Sequence, residues 1–293
     1  MDLSLFRPIR PSHSSLVLSL ADGAWRAGVL AFLLCVGLQS LAAAAADPKG
    51  TPEERLARVR AALKSDDVAV RRAAIGSLVH SDLSPKLLAE MRAALGDKDG
   101  DVRSVAATAT GNLGAEAVPA IPQLVAQLKS DPVKEARETA ARALGRIGKA
   151  APNEKSPIAP LTAAAKEDPD PVTRTVALGA LGMMNVDVPG QVAALRKFLH
   201  HDEPLVRMKA AHALGMLGPV AKEAAAEIAE VLKNEPDEHR RGYVARAVGN
   251  VGDPAMLPAL YAAYEKETYE GARGEMRGAI AKLGGKVPEK KTK

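Results

Sequence analysis

The chain is poor in the residues by which many proteins reveal their chemistry. Of its 293 residues only 3% are aromatic, with one tryptophan, Trp25, and one cysteine, Cys35. A single cysteine allows no internal disulfide and no multi-cysteine metal site, so stability has to come from packing. Alternation of apolar and polar residues never lasts more than a few positions, so no strand is expected and the fold class is all-α. Serine is scarce after the N-terminal segment, and none lies in the Gly-x-Ser-x-Gly setting of a nucleophile elbow. The six histidines are scattered: His13 near the N-terminus, then His80, His200, His201, His212 and His239 in five structural contexts. "HHDE" at 200–203 is the only cluster suggesting a metal, and it falls in a turn between helices. No catalytic, cofactor-binding or metal-binding residue is assigned.

What the chain does have is a globular balance, 47% hydrophobic and 26% charged, with the apolar share supplied by Ala, Leu and Val. Residues 1–46 stand apart. Arg7, Arg10 and Arg26 precede an uncharged run from Ala27 to Ala46 that ends in small residues, as in a secretory signal cut before Asp47. Some twenty uncharged residues also suffice for an uncleaved membrane anchor. The product is therefore expected to be exported to the periplasm or outside the cell, with membrane anchoring as the alternative. Cleavage would remove three arginines and two aspartates, so the net charge of +5 would fall by one, and Cys35 and Trp25 would be lost. Mild basicity with few aromatics argues against nucleic acid as the partner.

An internal period organises the rest. Arg71, Arg103, Arg137, Arg174, Arg207, Arg241 and Arg273 are 32 to 37 residues apart, which marks an array. Three, four, seven and ten residues after the Arg small or apolar residues recur, as at Ala140, Ala141, Leu144 and Ile147, the stripe of a helix. Eight residues after it stands Gly in the middle copies: Gly111, Gly145, Gly182, Gly215 and Gly249. Gly inside a helix costs up to ~1 kcal/mol, so its recurrence predicts a neighbouring backbone too close for a side chain. Eleven residues after the Arg, Gly114, Gly148, Gly218, Gly252, Gly284 and Asn185 predict left-handed helix caps. Because these glycines follow helices, they do not form a phosphate loop.

Before each Arg lies an acidic or Pro-bearing turn, as in "SDPVKEAR" and "HDEPLVR", and before that another helix. Thr51, Pro52 and Glu54 form a capping-box signature, and Ser84 with Pro85 is expected to open the second copy in the same way. Each repeat is thus helix, acidic turn, helix.

"DPVKEARETAARALGRIG" and "DEPLVRMKAAHALGMLG" resemble HEAT repeats, in the short form of the phycobilisome-lyase HEAT-like group, over residues 51–285. The resemblance implies an α-solenoid of about seven helix pairs, a right-handed superhelix, spanning residues 47–285 and followed by a disordered basic tail, 286–293. It also implies a structural ladder of turn acids and second-helix arginines: Asp131 with Arg137, Asp168 with Arg174, Asp202 with Arg207. Val79, Ala281 and Asp82 depart from the glycine pattern at the ends, as capping repeats do. The di-iron hydroxylases built on this repeat carry His-Glu pairs, and this sequence has none.

In HEAT solenoids the second helices line the concave face. Offsets of one, five and nine residues from the Arg share one outward ridge. Its candidates for protein binding are Thr108, Asn112, Arg142, Arg146, Met183, His212, Met216, Arg246 and Asn250, a mildly basic ridge with an apolar middle. Methionine adapts to varied apolar partners and arginine is enriched at hot spots. The bland alternative is that these arginines are solvated charges and the methionines pack inward. Tyr261 and Tyr264, with Tyr243 and Tyr269, are expected mainly to pack near the end of the array. The expected function is that of an exported monomeric scaffold or adaptor for another protein, without catalysis. The alternative is a lyase-like or protein-modifying enzyme.

Overall fold

The computed structural model describes residues 49–287, in which helices and turns are the only elements. The segment read as a signal or anchor lies outside those residues, and among them no helix is long and apolar enough to cross a membrane. The chain divides into two compact units, residues 1–74 and 75–293.

In the first unit, α1 (Pro52–Leu63) leads to α2 (Val68–Gly76). The capping box forms: Thr51 Oγ1 accepts from the Glu54 amide at 3.2 Å, and Glu54 Oε2 accepts from the Thr51 amide at 2.9 Å. Two orphan donors of the first turn are thereby satisfied. Arg71 Nη1 donates to the carbonyls of Ser65 and Asp66, both at 2.9 Å, which ties the helix to the turn before it.

The second unit is a stack of helix pairs. Its first helices are α3 (Leu88–Ala94), α5 (Ile121–Ser130), α7 (Ile158–Glu167), α9 (Val188–Phe198), α11 (Ala225–Asn234) and α13 (Leu257–Lys266). Its second helices are α4 (Gly100–Asn112), α6 (Lys134–Ala150), α8 (Pro171–Met183), α10 (Pro204–Leu217), α12 (Glu238–Val251) and α14 (Glu270–Lys282). Each second helix of this unit packs on its own first helix, and successive second helices from α4 to α14 pack on one another, the all-α solenoid expected. The predicted stripe is the buried one: in α6 it holds Ala136, Ala140, Ala141, Ala143, Leu144 and Ile147.

At four of the five notch positions the close backbone is there. A Cβ on Gly111, Gly145, Gly215 or Gly249 would lie 2.6–2.8 Å from the Cα of Ala143, Ala180, Ala247 or Ala279. No side chain survives that spacing unless the helices part. Left-handed backbone appears at Gly114, Gly218, Gly252, Gly284 and Asn185, as read.

Two local expectations fail. Gly148 is no cap: α6 continues through it to Ala150, and its missing side chain makes room for Met184, whose Cε would be 2.5 Å from a Cβ there. This longer helix and the turn after it account for the 37-residue spacing. Ser84 caps nothing either. It opens a 3-10 turn, Ser84–Leu87, and its hydroxyl donates to the carbonyls of Leu78 and Ser81 rather than accepting from an amide.

At the C-terminal end Tyr264 is buried, while the Tyr261 hydroxyl donates to the Lys286 carbonyl at 3.0 Å. Val287 packs against the same core, so the last described residues of the expected tail lie on α13 and α14.

Candidate second-helix binding face

The turns between paired helices set the position of the second helices. The residue six before each Arg clamps its own turn: Asp131, Asp168, Glu235 and Glu267 accept from the amide two residues on, at 2.9–3.0 Å, and all four are buried. Arg137 Nη1 donates to the Asp131 carbonyl and Arg174 Nη1 to the Asp168 carbonyl, at 3.0 and 2.7 Å. The ladder therefore differs from the expected pairing. Within a repeat the Arg grips the backbone, and its side-chain partner is the acid of the following repeat.

Three such rungs are bidentate: Arg103 to Asp131 at 2.6 Å twice, Arg137 to Asp168 at 2.9 and 3.0 Å, and Arg241 to Glu267 at 2.6 and 3.0 Å. Two planar donors matched to two carboxylate oxygens give the stronger, geometrically specific form of ion pair. Burial of Asp131 opposes its ionisation, but the bonds from Arg103 and the Val133 amide outweigh it and hold the carboxyl below its usual range. The bond from Arg241 does the same for Glu267.

Two rungs are missing in the middle of the array. The residue six before Arg207 is His201, not Asp202; Asp202 is exposed and lends Arg207 only its carbonyl, at 2.7 Å. His201 Nδ1 still accepts from the Glu203 amide at 3.1 Å, so the turn is clamped, but among the described residues Arg174 finds no carboxylate and lies over the Phe198 ring at 5.9 Å. Arg207 meets only backbone carbonyls, because Glu235 has turned one oxygen to Arg240 at 2.9 Å. Its other oxygen, Oε2, is buried and accepts no hydrogen bond.

The helix register slips at the same place. Elsewhere the notch Gly meets the Ala six residues after the next Arg. Between α8 and α10 that Ala, Ala213, instead faces Gly179, at 3.0 Å from its would-be Cβ, and the notch residue Gly182 meets the Leu217 side chain. A turn-long offset of one helix on the next leaves a shallow recess, lined by Arg142, Val176, Gly179, Ala180, Met183, Lys209, His212, Ala213 and Met216.

The structure thus brings together four of the residues singled out in the sequence, Arg142, Met183, His212 and Met216. Met216 is 39% exposed and Met183 half-buried. Three of the others lie in cross-repeat pairs, Asn112 with Arg146 and Asn250 with Lys282, a residue not singled out in the sequence. Asn112 donates to the Val79 carbonyl at 2.7 Å and its amide oxygen accepts from Arg146; Asn250 accepts from Lys282 at 2.6 Å. Thr108 is turned back on its own helix, its hydroxyl bonded to the Ser104 carbonyl at 3.1 Å.

Sequence reading missed Glu138 and Lys209. Glu138 binds Arg142 one turn on and also Lys209, two second helices away, at 2.6 Å. Gly179 of α8 and Lys209 line the same recess. Arg246 is likewise held, by Glu275 at 3.5 Å and over the Tyr243 ring at 5.0 Å. Arg142 and Arg246 are thus paired with carboxylates rather than free solvated charges, and no signal in the sequence named their partners.

His212 carries the electrostatic record of the face. Desolvation, then Arg246, Arg142, Lys209 and Arg146, push its pKa down to about 4, so it is neutral at physiological pH. Burial and the nearby Arg142 also lower that of Arg146. Among the described residues no cluster of three His, Cys, Asp or Glu could hold a metal ion.

Comparison with known proteins agrees with this architecture. The family described as HEAT repeats matches residues 56–145, 89–182 and 158–242. No curated protein sequence matches. Among solved structures, the complex of CpcE and CpcF of phycocyanin lyase from Nostoc sp. is 24% identical over 81% of this chain and 96% of that one, with a TM-score of 0.51. Human deoxyhypusine hydroxylase is 21% identical over 88% of this chain and 99% of that one, with a TM-score of 0.40. The first likeness, low in identity, speaks to fold alone.

Proposed function

The chain belongs to the HEAT-repeat family, and from that premise we propose that it is a non-catalytic scaffold or adaptor whose second-helix face binds another protein. One observation carries this reading: a recess bearing an exposed methionine, Met216, opens on that face where the repeat pattern slips, ringed by cations. An adaptable apolar anchor within a polar rim is the usual anatomy of a protein-binding hot spot. Array folds offer such faces without a preformed reaction pocket. The N-terminal segment supports an exported site of action, in the periplasm or beyond, and a monomer suffices for the role.

The test is a quantitative pull-down with the full chain tagged at its C-terminus, from soluble and membrane fractions, beside a Met183→Asp/Met216→Asp/Arg146→Glu variant. A protein partner retained by the native chain and lost by the variant is the expected outcome. A partner held equally by both would move the binding site elsewhere. Arg142 and Arg246 are left intact, because their carboxylate partners make them part of the fold.

A further inference from the structure

The charges around the recess are unequally paired. Arg142 and Lys209 share one carboxylate, Glu138, while Arg246 has Glu275. Arg146 is half-buried, its guanidinium donates to a neutral amide, Asn112, and it meets no carboxylate among the described residues. Lys282, beyond the other end of the recess, likewise points its ammonium at an amide oxygen, Asn250. A half-buried cation without a counter-ion is costly unless a partner supplies one. The depressed basicity of His212 and Arg146 comes first from burial and then from the neighbouring cations, so positive potential is a second contributor at both.

Geometry sets the size of the missing anion. Arg146 is on α6 and Lys282 on α14, four second-helix steps apart; at ~8–10 Å a step this is roughly 35 Å. An extended chain rises ~3.3 Å per residue, so about a dozen residues span it. The recess lies one to two steps from Arg146. We infer that this face takes an extended acidic peptide segment of about a dozen residues, with one apolar side chain seated between Met183 and Met216. The inference rests on the protein-binding reading above and names the chemistry of the partner. Neither end of this chain fits the role, because each would bring a net positive charge to a cationic face. The C-terminal tail sets Lys290, Lys291 and Lys293 against a single acid, Glu289, and the N-terminal segment sets Arg7, Arg10 and Arg26 against Asp2 and Asp22. A single-stranded nucleic acid brings the charge, but no Phe, Tyr or Trp lines the recess to stack its bases, and the one ring there, His212, is half-buried.

Panning a random dodecapeptide display library against the purified full chain tests this, with binders eluted by salt. The expected consensus holds several Asp or Glu around a single Leu, Met or Phe. A synthetic peptide of that consensus should lose at least tenfold in affinity with Arg146→Gln and with Met216→Ser, surface changes whose folding is checked by thermal melting. Raising NaCl from 50 to 300 mM should weaken it comparably. A neutral or basic consensus that is nonetheless lost in both variants would overturn the acidic partner and leave the protein-binding face standing. Peptides that bind both variants as well as the native chain, or no recovered binder, would overturn both. A labelled twelve-nucleotide single strand that binds more tightly than the peptide would replace the peptide with nucleic acid.

Discussion

The junctions α6–α8 and α8–α10 stand one repeat apart and use the same kinds of residue, yet three columns change between them. At α6–α8 the notch Gly145 meets the Ala180 backbone, Arg137 closes a bidentate rung on Asp168, and both acceptors of the clamped turn are satisfied. At α8–α10 the notch has slipped onto a leucine side chain, Arg174 has no rung, and the outer offset carries two methionines, Met183 and Met216, where α6–α8 has Arg146 and Met183. The neighbouring α10–α12 junction is intermediate, with a regular notch at Gly215 but no rung from Arg207. Regularity makes a stack, and interruption of it makes a recess.

The most severe way to break the comparison is to remove an arginine from each kind of junction. Arg137→Ala strands Asp168, whose side chain is 5% exposed, and should destabilise the array by about 3–5 kcal/mol. Arg174→Ala removes a backbone grip and a ring contact but leaves no buried charge behind, and about 1 kcal/mol is expected. Urea midpoints of the two variants measure the gap. Equal losses would mean that the rung contributes nothing beyond its grip on the turn.

A second contrast lies in pH. His212 has an ordinary pKa near 6.5 when unfolded and about 4 when folded, so the fold prefers it neutral. Its contribution is complete above 6.5 and declines as pH falls from there towards 4, at ~1.4 kcal/mol per pH unit. Asp131 and Glu267 act lower down, since their depressed values keep their contributions until the pH drops below the ordinary carboxylate range. Between pH 6.5 and 5 the central recess should therefore cost the native chain up to about 2 kcal/mol, and His212→Gln should remove most of that slope.

Glycine replacements sharpen the difference in packing. Gly249→Ala puts a Cβ 2.6 Å from the Ala279 Cα, and backbone cannot rotate away; a net loss of about 1–2 kcal/mol remains after the helix-propensity gain. Gly182→Ala meets only the Leu217 side chain, whose end can move, so the propensity gain should nearly offset the contact. Calorimetric melting of both variants decides whether the slip relieves the notch.

Much of this was legible because periodicity repeats its message. The helix pairs, the buried stripe, the notch glycines and five of six left-handed caps recur at fixed offsets, so one repeat checks another. What could not be read came from places where an offset is ambiguous or a partner is far away. Asp202 is the turn aspartate of "HDEPLVR", yet the clamp position is defined by counting six back from Arg207, where His201 stands. Gly148 looks like its counterparts, but the extra turn of α6 carries the helix past it. The Lys209–Glu138 pair spans 71 residues and depends on a register slip that no single repeat announces.

The smallest expected effect is also a repair. At the α8–α10 junction an aspartate at position 201 would restore both functions that Asp131 and Asp168 perform: accepting from the amide two residues on, and receiving the preceding repeat's guanidinium. His201 already performs the first through Nδ1, so the turn is shaped for it. His201→Asp should therefore draw Arg174 off the Phe198 ring into a rung and raise stability by about 1 kcal/mol, or roughly 2–4 °C in melting temperature. If the slip of α10 on α8 is what forbids the rung, the substitution will instead leave an uncompensated carboxylate and lower the melting temperature. The sign of that shift distinguishes two origins of the recess: a ladder that failed because its acid was replaced, or helices whose packing displaced the ladder first.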